Sequence, residues 1–73
     1  MDEFSLNKVR EFLTDVSEFG LRHGWSDTKI GEVYGNRAII HRARKGVDEG
    51  KVRIRRGTML RLRKFMAQQD AMS

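Results

Sequence analysis

Four stretches of the chain place apolar side chains at helical spacing. In the first, Leu6, Val9, Leu13 and Val16 recur every three or four residues, and Phe12 and Phe19 widen the stripe. Ser5 or Asn7 suits its N-cap and Gly20 or Gly24 its end; we take Gly24, with a frayed last turn, which predicts a helix over about 6–22. The second opens at Ser26, with Asp27 in its first turn, and runs through Ile30 and Val33 to Tyr34, stopping at Gly35. Trp25 precedes that cap, where an apolar residue staples onto the first turn. The third begins at Asn36 or Arg37 and is expected to close at Gly46, a helix over 37–45. Its apolar members are Ile39, Ile40 and Ala43, which share one sector at about 100° per residue. The opposite sector holds Arg37, Ala38, His41, Arg42 and Lys45, with Arg44 on the flank.

Gly46-Val47-Asp48-Glu49-Gly50 reads as a turn. Lys51-Val52-Arg53-Ile54-Arg55 then alternates basic and apolar residues, a pattern open to two readings, an extended arm or one strand of a small wing. We take it as an extended connection. The last helix, over 57–69, buries Met59, Leu62, Phe65 and Met66 and turns Arg61, Arg63 and Lys64 outward, and the tail Asp70–Ser73 is expected to fray. The class is therefore all-α, with four helices in a single domain spanning 1–73 and a basic connection before the last helix.

Charge changes this picture from a small helical domain to a polarised one. Residues 1–35 carry four basic and seven acidic side chains, while residues 36–66 carry eleven basic and two acidic. The second segment stands at +9 and repels itself in a compact fold. A polyanion relieves that repulsion, and a phosphate backbone is the commonest one. A merely solvated cationic surface is the plain alternative.

Other chemistry is thin. The chain has 73 residues and no cysteine, which excludes disulfides and thiolate metal sites. His23 and His41 lack partner ligands at metal spacing, so no metal or other cofactor is expected. No nucleophile sits beside a base, and no glycine-rich phosphate loop is present, so an enzyme is not expected. No apolar run approaches the roughly 20 residues that span a bilayer. The acidic Met1-Asp2-Glu3 does not resemble a signal peptide. A cytoplasmic protein, without membrane partner or small-molecule ligand, is expected.

Two short helices on either side of Gly35, the second rich in cations, make the arrangement a helix-turn-helix requires. Gly31 is the small residue that allows close approach. Ser26 to Gly35 resembles the scanning helix of lambda-repressor-like helix-turn-helix domains, and Asn36 to Gly46 resembles their recognition helix. The likeness is closer to small phage and alphaproteobacterial regulators of that class. It rests on Gly35-Asn36-Arg37-Ala38-Ile39-Ile40, Arg42-Ala43-Arg44-Lys45-Gly46 and the Thr58–Met66 helix, and spans about residues 8–68. The stretch between Gly35 and Ile40 is one residue shorter than the family's usual turn.

The resemblance implies a sequence-specific regulator of double-stranded DNA, a repressor by promoter occupancy, acting as a homodimer in a bacterial or phage-infected cell. It implies base contacts from Arg37, Ala38, His41 and Arg42. It implies backbone contacts from Thr28, Lys29, Asn36, Arg44, Lys45, Lys51, Arg53, Arg55 and Arg56. Phe4, Leu6, Leu60 and Met66 are candidate dimer contacts. Two rival readings are a DNA-bending excisionase or architectural protein, with Val47–Arg55 as a wing, and a protein-binding antagonist that uses its acidic first helix.

Overall fold

The computed structural model describes residues 5–72, and every regular element among them is helical. The four helices are α1 (Leu6–His23), α2 (Asp27–Tyr34), α3 (Ile39–Asp48) and α4 (Arg56–Met72). The first two begin as the sequence suggests. Ser5 Oγ accepts from the backbone N–H of Lys8, and Ser26 Oγ from that of Lys29, each satisfying an otherwise unpaired amide.

Three of the helices end by one device. Each closes with a glycine in the left-handed region: Gly24, Gly35 and Gly50, at φ 69°, 117° and 73°. In each, the next residue's N–H returns to a carbonyl five residues earlier. Trp25 donates to Gly20 at 2.9 Å, Asn36 to Gly31 at 2.8 Å and Lys51 to Gly46 at 2.7 Å. The acceptor is a glycine every time, so Gly-x-x-x-Gly recurs at 20–24, 31–35 and 46–50. The chain leaving the helix folds back over that first glycine. A Cβ there would meet the Trp25, Asn36 or Lys51 carbonyl oxygen at 2.7, 2.5 or 2.9 Å.

This closure corrects both ends expected for the third helix. Gly46 is not its stop. It lies inside α3, which runs on to Asp48, and Gly50 is the left-handed residue. The supposed turn at 46–50 is therefore mostly helix. At the other end, Gly35 and Asn36 are used to close α2, so Asn36, Arg37 and Ala38 form the connecting turn and α3 starts at Ile39. The tail also differs from expectation: α4 continues to Met72 because Asp70 is held by α1.

The core joins all four helices and the connection. Val9, Phe12, Val16, Phe19, Ile30, Ile40 and Leu62 are fully enclosed, each contributing about 1.5–3 kcal/mol by leaving water. Leu13, Ile39, Ala43, Met59 and Met66 complete it. Ile54, in the otherwise extended segment after α3, is buried too and pins that segment to the body. Phe65 of α4 meets Phe19 and Tyr34, with ring centroids at 6.4 and 5.7 Å. Trp25 meets the Phe19 ring edge-on, in its expected structural role. Val33, expected inside, is 43% exposed because α2 turns only Ile30 and Gly31 fully inward. No helix among the described residues is long and apolar enough to cross a membrane.

Candidate nucleic-acid interface

The phase of α3 decides which cations face outward. Ile39, Ile40, Ala43 and Gly46 are buried. At about 100° per residue, the sector opposite them falls on Ala38, His41 and Lys45, with Arg42 and Arg44 at its two edges; Ala38, His41, Arg42 and Lys45 are exposed. No acidic residue lies in the first turn of α3, and no side chain caps its first amides. The helix dipole alone therefore sets the field at that end, and its sign favours an anion.

Each edge of this face touches a different neighbour. On the α2 side, His41 Nε2 and Thr28 Oγ1 share a hydrogen bond of 2.8 Å, which ties the start of the second helix to the outward face of the third. Lys29 is exposed beside Thr28, its ammonium 5.7 Å from the Trp25 ring centre. Arg37, in the turn, stands near Glu32 at 3.5 Å and is 76% exposed, so that pair is loose. Asn36 is exposed as well, and its carbonyl accepts the Ile39 N–H at 3.2 Å.

On the other side, Arg42 borders the basic connection. Arg42, Arg53, Arg55, Asn36 and Thr58 line one open cleft of about 180 Å3, floored by Ile39 and Ile54. Gly46 makes this possible: Arg53 Cβ and Cγ lie 2.9 and 2.7 Å from where a Cβ at Gly46 would stand. The connection thus lies directly on α3. With Ile54 turned inward, its extended neighbours Arg53 and Arg55 are exposed on either side. Lys51 and Arg56 are exposed at its two ends, while Arg53 Nη2 donates to Glu49 at 3.1 Å.

Arg44, expected as a backbone contact, is the one α3 cation engaged with the other helices. It points along the flank of α3 and is consumed internally. Its Nε donates to Asp27 Oδ2 at 2.7 Å, and its Nη2 donates to Asp27 Oδ1 at 3.3 Å and Ser17 Oγ at 2.9 Å. One guanidinium thereby bridges α1, α2 and α3. Sequence spacing gave no signal of this, because Asp27 is seventeen residues away and on another helix. Arg63, expected outward, is likewise paired with Asp15 and sits 5.4 Å over the Phe12 ring.

Among the candidate dimer contacts, Met66 is removed because it is only 6% exposed. Leu60 is 58% exposed and Leu6 half-buried. Phe4 lies outside the described residues. No group of His, Asp or Glu suited to hold a metal ion occurs among the described residues. Comparison with protein-family models, curated proteins and solved structures returns no match to this chain.

Proposed function

We propose that the protein binds double-stranded DNA with α3 in the major groove, as a sequence-specific transcriptional regulator that represses by occupying a promoter. The observation that carries this reading is the outward face of α3. Ala38, His41, Arg42 and Lys45 are exposed over a fully anchored apolar face, and among the described residues no carboxylate pairs with Arg42 or Lys45. Unpaired cations on a rigid helix are suited to reach base edges in a groove about 12 Å wide.

In this reading Arg42 and His41 read bases, Ala38 offers a methyl to a thymine methyl, and Arg37 reaches a base from the turn. Lys45, Lys51, Arg53, Arg55 and Arg56 hold phosphates, flanked by Thr28, Lys29 and Asn36. One module this small covers a short half-site, so a homodimer on two half-sites supplies the area, with Leu60 a candidate contact. The lambda-repressor-like resemblance supports the same assignment. An architectural protein with a wing would need Val47–Arg55 paired as strands, whereas those residues form the end of α3 and an extended arm.

Selection of bound duplexes from a random pool tests the proposal. A recurring motif is expected, palindromic if the protein binds as a dimer. Recovery of unenriched sequence, with the amide signals of residues 36–45 unmoved by duplex at low ionic strength, would reject it.

A further inference from the structure

The cleft between α3, the arm and the start of α4 differs from the rest of the cationic surface. It is concave, and three arginines from two elements line it: Arg53 and Arg55 from the arm, with Arg42 of α3 at its border. Its donors also include the Asn36 amide and the Thr58 hydroxyl. Thr58 Oγ1 accepts from Arg61 Nη2 at 3.3 Å, which leaves its own proton free to donate outward. The floor is rigid, since Ile39 and Ile54 are core residues. The two arm arginines, with a hydroxyl and an amide, form a donor set for a tetrahedral oxyanion, which guanidinium binds through paired N–H groups, and Arg42 at the border stays free for a base.

A carboxylate already competes for one of these donors. Glu49 Oε1 accepts from Arg53 Nη2 at 3.1 Å, one helical turn's length along the chain from it. Glu49 does not line the cleft, so it draws Arg53 from outside. The pair is exposed and correspondingly weak.

We propose that this cleft seats a single phosphodiester group, and that Glu49 is its internal competitor, holding Arg53 until a phosphate displaces it. This deepens the DNA-binding reading, on which its choice of ligand rests. The duplex backbone supplies the phosphate, and Glu49 lowers affinity for every sequence alike, which restrains non-specific binding.

A double-mutant cycle on duplex affinity tests the idea, using a labelled short duplex of mixed sequence at about 0.1 M salt. Glu49→Gln keeps the shape and removes the charge. It is expected to tighten binding about threefold in the parent chain and to leave it nearly unchanged in an Arg53→Gln background. Equal tightening in both backgrounds would mean bulk charge rather than competition, and would overturn the proposal, as would no tightening in the parent. Tightening confined to phosphatidylglycerol vesicles would assign the phosphate to lipid and overturn it too. All positions are exposed, so melting temperatures close to the parent's are expected as a check on folding. If the parent has no duplex affinity, the DNA reading fails separately. Inorganic phosphate then tests the seat by itself: the Arg53 and Arg55 Nε–H and Asn36 amide signals should move, and unmoved signals would end the proposal.

Discussion

Gly31 has no room for a side chain, and the obstruction is backbone. A Cβ there would stand 2.5 Å from the Asn36 carbonyl oxygen and 2.7 Å from that of Arg37. Neither oxygen moves unless the turn between α2 and α3 moves. Alanine ordinarily gains about 1 kcal/mol over glycine inside a helix, so the clash must outweigh a favourable change. Gly31→Ala is expected to destabilise the protein by about 2 kcal/mol or more and lower its melting temperature by about 8–16 °C. Gly57→Ala is the contrasting case. Nothing nearer than Arg61 Nη1 at 3.8 Å faces that position in α4, so a gain of about 0.5–1 kcal/mol is expected. Equal effects of the two substitutions in thermal melts would show that close approach does not constrain Gly31. The sequence marks Gly31 as the small residue of the motif, but the reason differs in detail: the chain reversing after α2 presses on it, rather than the body of α3.

At the scale of the element, α3 is where sequence reading is both strongest and most misled. Its inner face is legible because Ile39, Ile40 and Ala43 obey helical periodicity, and burial follows periodicity. Its bounds are less legible because glycine is ambiguous. Gly46 looks like a terminator, yet serves as the acceptor of the closing bond and as a floor for Arg53. The recurrence of Gly-x-x-x-Gly is the signal that distinguishes the two roles, since in each case only the second glycine takes positive φ. Arg44 is illegible for another reason, because its partners Asp27 and Ser17 are brought to it only by tertiary packing. The outward cations divide in turn. If Arg42 reads a base, Arg42→Ala costs about 1–3 kcal/mol on a selected site and relaxes its sequence, with much less change on random duplex. Lys45→Ala, a phosphate contact, lowers affinity on both and reduces the salt slope by about one. Comparable losses on selected and random duplex for Arg42→Ala would make it another phosphate contact, consistent with its place in the cleft.

Across the whole molecule, the acidic first half serves as counterion to those basic residues that turn inward. Asp27 takes Arg44 and Asp15 takes Arg63. What remains exposed on α3 and the arm is mostly unneutralised. The same economy fastens the far end of α4. Asp70 accepts from Arg22 at 2.9 Å and shares a 2.7 Å hydrogen bond with His23, whose ring lies against Phe19 and Trp25. The hydrogen bond to His23, then that to Arg22, holds the Asp70 carboxyl below the usual aspartate range. A carboxyl so depressed binds its proton less readily in the folded chain than in the unfolded one. Its contribution to stability is therefore present above the unfolded-state value and fades as pH falls through the folded-state value. Asp70→Asn keeps a polar group of the same shape and removes the charge. The melting temperature of this variant should lie below the parent's above about pH 5, and the two should converge as pH drops well below about 4. No gap at about pH 5, or a gap as wide in strong acid as at about pH 5, would show that the ionised carboxylate does not fasten the end of α4.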